Sequence, residues 1–113
     1  MPLEDYFSTG PSHERPVYEA LIGYLKELGP VHVEPVSVGI FPKRSRTFAE
    51  LRPMRKWVAL TFSLPRPVRR KLIRRKVIHY NGRYYHVANV QGPEDLDANL
   101  LSLLAEAYFS SPE

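Results

Sequence analysis

Two segments, one near each end of the chain, repeat apolar residues at helical spacing. The first stripe consists of Val17, Leu21, Tyr24, Leu25 and Leu28. It predicts a helix over residues 14–28, which Gly29-Pro30 ends. The second stripe consists of Leu96, Leu100, Leu103, Leu104 and Ala107. It predicts a helix over residues 93–109, with acidic residues in its first turn, where the helix dipole favours them.

Between these stripes, apolar and polar residues alternate with the period of two that is typical of strands. The clearest run is 57–64, which places Val58, Leu60, Phe62 and Leu64 on one face. Shorter runs cover residues 31–40 and 47–51, and prolines inside the first indicate an edge strand or a bulge. About five strands between two helices predict an α+β fold, with the helices packed against a mostly antiparallel sheet.

A hairpin is predicted around Asn81-Gly82, because a two-residue type I′ turn needs positive φ at both central positions. Such a turn pairs His79 with Tyr84 and places both on one face with His86. We expect this face to lie against the core, and the opposite face, with Tyr80 and Tyr85, to be more exposed. Residues 66–75 fit either a short helix or an irregular basic loop, and the sequence leaves that choice open.

Length and composition indicate one globular domain over residues 1–113, in which residues 1–11 form an N-terminal arm. The chain has no cysteine, which excludes disulfides, thiolate nucleophiles and cysteine-based zinc sites. It has no apolar run long enough to span a bilayer and no signal-like N-terminus. We therefore expect a cytoplasmic protein that has no membrane partner. A homodimer is compatible with the sequence.

Charge is distributed unevenly along the chain, although its formal net value is only +4. Residues 43–83 contain fourteen basic residues and one acidic residue, a net +13, whereas the remainder has two basic and eleven acidic residues, a net −9. This asymmetry indicates one positive and one negative surface. In a simpler interpretation, the basic residues pair with the acidic helices and bind no partner.

The basic segment that precedes the predicted hairpin suits phosphate contact, and the nearby tyrosines suit base stacking. These features favour the binding of a polyanion, nucleic acid above all. The predicted polyanion-binding residues are Arg66, Arg69, Arg70, Lys71, Arg74, Arg75, Lys76, Tyr80 and Tyr85.

Other candidate chemistry is sparse. His79 and His86 are diagonal neighbours in the predicted hairpin, but a metal site would need a third ligand that the sequence does not place. Hydrogen-bonded structural histidines are the simpler interpretation. The chain lacks a phosphate-binding glycine loop, a nucleophile elbow and a calcium loop. We therefore predict neither a cofactor nor a metal, and expect binding rather than catalysis.

Several short motifs, in their order and spacing, resemble a family of small prokaryotic domains, domain of unknown function family 5655. They are Gly39-Ile40-Phe41, Thr47-Phe48-Ala49, the strand from Val58 to Pro65, His86, Glu94-Asp95-Leu96-Asp97 and Glu106-Ala107-Tyr108. The resemblance implies a compact domain with a sheet flanked by helices, distantly similar to small α/β domains of the YdhG/YjbR-like kind. It brings no established catalytic residues. The chain departs from the pattern at Val87, where relatives often have a second histidine.

Phe48 and His86 match positions that the family pattern favours, which implies an alternative function. In this alternative, the protein is a small-ligand-binding or accessory domain. Its pocket would be formed by Phe48, His79, Tyr84 and His86.

Overall fold

The computed structural model describes residues 3–36, 39–43, 47–73 and 75–111. In this part of the chain the helices are α1 (Leu3–Thr9), α2 (Glu14–Leu28) and α3 (Ala98–Ser110). The strands are β1 (His32–Val36), β2 (Gly39–Lys43), β3 (Ala49–Pro53), β4 (Val58–Leu64), β5 (Ile78–Tyr80) and β6 (Arg83–Val90). None of the helices in these ranges has the length and apolar character that crossing a membrane requires.

The strands form one antiparallel sheet in the order β1-β2-β3-β4-β6-β5. The predicted α+β fold is therefore confirmed, with six strands in place of about five. Pro35 lies in β1, an edge strand, where its missing N–H interrupts no pairing on the outer side. The turn at Asn81-Gly82 is also confirmed, since both residues have positive φ, 51° and 74°.

One face of the sheet carries the core. Leu51, Leu60 and Ala88 lie side by side on β3, β4 and β6, and all three are fully buried. The apolar stripes of α2 and α3 join the same hydrophobic cluster, as their spacing predicts. The fold thus has two layers, helices on one face of a sheet, around one core.

The last helix begins later than predicted. Residues Pro93–Asp95 form one turn of 3-10 helix, and the backbone of Leu96 then leaves the helical region. Asp97 starts α3 as its N-cap, because its Oδ1 accepts from the N–H of Leu100 at 2.8 Å. Glu94 and Asp95 consequently precede the helix instead of occupying its first turn.

Part of the segment predicted as an N-terminal arm is the helix α1. Tyr6 is buried and its hydroxyl donates to Oε2 of Glu14 at 2.5 Å, at the start of α2. Phe7 packs against Tyr18 of α2, with ring centroids 5.2 Å apart. These contacts fix the segment against the domain, which explains why it is folded.

Candidate functional site

Residues 65–77, here called the basic loop, connect β4 to β5. Its described residues are irregular, apart from a turn at Lys71-Leu72 and a single bridge at Ile73. The structure thus favours the second of the two conformations that the sequence left open. Pro65 and Pro67 at its start lack the N–H groups that would extend β4.

Two backbone contacts attach the basic loop to β6. The N–H of Asn89 donates to the carbonyl of Leu72 at 3.1 Å, and Ile73 forms an antiparallel bridge with Ala88. Strand β5 pairs only with residues 83–85 of β6. The loop therefore covers a part of the β6 edge that β5 leaves free.

A buried histidine provides the third attachment. The N–H of Val68 donates to Nε2 of His86 at 3.0 Å, and both residues are buried. The His86 ring stacks on Phe62 of β4, with centroids 5.2 Å apart and planes 9° apart. Because Nε2 accepts a hydrogen bond, the neutral ring carries its proton on Nδ1.

Burial lowers the pKa of His86 from its ordinary value near 6.5. The nearby backbone carbonyls of Phe62 and Tyr84 oppose this shift but do not outweigh it. They act at longer range, since Nδ1 makes no hydrogen bond of normal geometry within the described residues. His86 is thus held neutral, the state in which it can accept from Val68.

Among the described residues of the basic loop, the charged side chains are all exposed. Arg66 alone forms an ion pair, with Glu106 of α3 at 2.8 Å. The other five make no ion pair within the described part of the chain, and they are Arg69, Arg70, Lys71, Arg75 and Lys76. Arg74, also predicted to bind a polyanion, lies outside the described residues.

The basic loop surrounds a surface depression of about 600 Å³. Its floor is apolar, with Val68, Ile73 and Val77. Its basic side chains are Arg69, Arg70, Arg75 and Lys76, and its described lining includes no carboxylate. Four cations around an apolar floor suit an anionic ligand that also presents apolar surface.

Aromatic and aliphatic side chains lie next along the chain. Tyr80 is 64% exposed, Ile78 is 62% exposed and Tyr85 is 37% exposed. Ile78 lies directly opposite Tyr85, and Tyr80 is two residues further along β5, so all three share one face of the hairpin. The expectation that this face is the more exposed one is confirmed.

Comparison with known proteins places the chain in a family. A model of a domain of unknown function (DUF5655) matches residues 3–111. The chain belongs to this family. No curated protein and no solved structure matches it.

In this DUF5655 domain, the four residues of the predicted pocket lie in three different environments. Phe48 is buried edge-on against Tyr108 of α3, with centroids 5.4 Å apart. His79 stacks on Tyr84 at 4.2 Å, and this pair lies towards the sheet edge, with His79 exposed. His86 is fully buried. His79 and His86 do share the predicted face, but β5 is an edge strand and its part of that face lies outside the core.

A further concavity involves residues that the sequence did not indicate together. A cleft of about 410 Å³ is lined by Trp57, Leu72, Asn89, Gln91 and Asp95. Trp57 directly precedes β4 and Asn89 lies in β6, and the register of these two strands was not predictable from local pattern. Within the described residues, no group of three or more metal-ligating side chains lies close enough to hold a metal ion.

Proposed function

We propose that this domain binds a polyanion, and specifically nucleic acid, through the basic loop and the adjacent exposed face of the hairpin. The observation that carries the proposal is a set of five exposed basic side chains that form no ion pair within the described part of the chain, namely Arg69, Arg70, Lys71, Arg75 and Lys76. Unpaired cations keep their full charge for phosphate, and binding releases the counterions condensed on a strand.

The exposed hairpin face favours a single strand over a duplex. The rings of Tyr80 and Tyr85 and the side chain of Ile78 follow the basic loop directly and are open to solvent. Bases can stack on such side chains only where they are not already stacked within a duplex.

The alternative pocket gains no support from the positions of its residues. His86 is fully buried, and Phe48 is 2% exposed. A ligand could reach either side chain only if the core opened. Opening a packed core costs far more free energy than binding in a cavity that is already formed.

The test compares two charge-matched triple variants by fluorescence-anisotropy titration with single-stranded and duplex oligonucleotides at low salt. The loop variant is Arg69→Ala, Arg70→Ala and Arg75→Ala. The control is Lys26→Ala, Arg55→Ala and Lys56→Ala, three exposed residues outside the loop. Both variants lower the net charge by three, so a larger effect of the loop variant would show that the oligonucleotide binds at the loop.

We expect the loop variant to weaken single-strand binding at least tenfold and the control to weaken it far less. Thermal unfolding should be nearly unchanged in both, since exposed arginines contribute little to stability. Equal weakening by the two variants would show non-local charge attraction and contradict the proposal, as would no binding by the wild type.

A further inference from the structure

The cleft beside Trp57 is built by four separate parts of the chain. Trp57 precedes β4, Asn89 and Gln91 belong to the end of β6 and the residue after it, and Asp95 lies in the 3-10 turn. Leu72 of the basic loop forms one wall. The carbonyl of Trp57 accepts from the N–H of Met54 at 2.8 Å and from Nε2 of His13 at 3.2 Å, which holds the tryptophan backbone in place.

Asp95 supplies the cleft with an acceptor of fixed orientation. Its Oδ2 accepts from the backbone N–H of Gln91 at 2.9 Å, whereas Oδ1 accepts no hydrogen bond within the described part of the chain. The described lining includes no basic side chain, so the Asp95 carboxylate repels phosphate from this cleft. The ligand group must be uncharged or cationic, and must offer hydrogen-bond donors to this carboxylate.

Guanine offers two adjacent donors on one edge, at N1 and N2, and their spacing matches the two oxygens of a carboxylate. Adenine, cytosine and uracil each present only one donor position on the equivalent edge. The volume of the cleft, about 410 Å³, accommodates a base and its sugar. The indole of Trp57 supplies an aromatic surface of the kind on which bases stack.

We propose that this cleft binds the guanine base of a nucleoside or of a nucleic-acid strand. Asp95 accepts from the N1–H and N2–H groups of guanine, and the base stacks on the indole ring of Trp57. The assignment does not depend on polyanion binding, because a nucleoside has no phosphate. For a guanine in a strand, it also rests on the proposed function of the basic loop, whose Leu72 borders the cleft.

Trp57 is the only tryptophan in the chain, so its fluorescence reports directly on the cleft. The experiment titrates the protein with guanosine, adenosine, cytidine and uridine and follows tryptophan quenching. We expect guanosine to saturate at a concentration at least tenfold lower than the other three. Equal quenching by all four would overturn the guanine assignment, and no saturable quenching would overturn the site.

Asp95→Asn tests recognition while keeping an oxygen that can accept from Gln91. It should reduce the guanosine preference at least fivefold, because one acceptor is replaced by a donor. Glu94→Gln is the matched control, since it removes the same charge from an exposed neighbour outside the cleft lining. Unchanged selectivity in Asp95→Asn would contradict the role of the carboxylate.

The loop variant of three arginines separates this inference from the proposed function. Guanosine quenching should be unaffected by it, whereas oligonucleotide binding should be lost. A guanine-containing strand should also quench Trp57 more strongly than a cytosine-only strand of equal length. If guanosine binds but no oligonucleotide does, the cleft is a site for free nucleosides. That result would contradict only the proposal of polyanion binding.

Discussion

At the scale of single residues, His86 connects the core to the candidate site. Its ring is buried on Phe62, and its Nε2 accepts from the N–H of Val68 in the basic loop. If the ring were protonated, its Nε2–H would face the N–H of Val68, and two donors cannot form a hydrogen bond with each other. His86 therefore fixes the loop by packing and by one hydrogen bond, without contacting solvent.

This arrangement predicts a pH dependence of stability. Burial lowers the pKa of His86 in the folded state, so below pH 6.5 the unfolded chain binds more protons than the folded one. The stabilising contribution is present above pH 6.5 and is lost as pH falls towards the lowered folded pKa. Urea unfolding between pH 7.5 and 5 should therefore show falling stability.

Two substitutions isolate the contribution of His86 to that slope. His86→Gln keeps an oxygen that can accept from Val68 and should flatten the loss of stability in acid. His79→Gln changes an exposed histidine on the same sheet face and should leave the slope as in the wild type. Identical slopes in all three proteins would show that His86 does not titrate with folding.

At the scale of secondary-structure elements, the hairpin is encoded locally and the basic loop is not. Asn81-Gly82 specifies its turn by backbone preference alone, and the predicted pairing of His79 with Tyr84 is confirmed. The loop conformation depends on Asn89 and His86, residues far along the chain. Only the register of β4 and β6 brings Trp57 and Asn89 into one cleft, so local pattern could not have predicted it.

The last helix shows a competition that the sequence pattern did not resolve. Pro93 is a good first residue for a helix, yet it starts only one 3-10 turn. Asp97 is a better cap for the apolar stripe that follows, because its carboxylate accepts from Leu100. This shift frees Asp95 to accept from Gln91 and to line the cleft.

Replacing each of two glycines by alanine should change the stability of the fold in opposite directions, because their backbone conformations differ. Gly82 has φ of 74° in the hairpin turn, so Gly82→Ala should destabilise the fold by about 1–2 kcal/mol. Gly23 lies exposed inside α2 with open space where a Cβ would stand. Gly23→Ala should stabilise the fold by about 0.5–1 kcal/mol. Urea denaturation measures both, and effects of the same sign would contradict the assignments.

At the scale of the whole molecule, most of the ion pairs among the described residues lie outside the basic loop. The acidic residues Glu4, Glu19, Glu34 and Glu106 are each occupied by a neighbouring cation. Within the described residues, pairing of the basic loop with an acidic helix is limited to Arg66 and Glu106. The simpler interpretation, in which the helices neutralise the basic segment, therefore holds for one described arginine and leaves five cations available.

The most direct test of polyanion binding is the salt dependence of affinity for a fluorescent single-stranded oligonucleotide between about 50 and about 200 mM salt. If Arg69, Arg70 and Arg75 contact phosphates, the plot of log affinity against log salt should have a slope of about −2 or steeper. The loop variant should flatten this slope by about 2, because each lost contact removes about 0.7 for a single strand. An affinity that does not change with salt, or a slope that the loop variant leaves unaltered, would contradict the account.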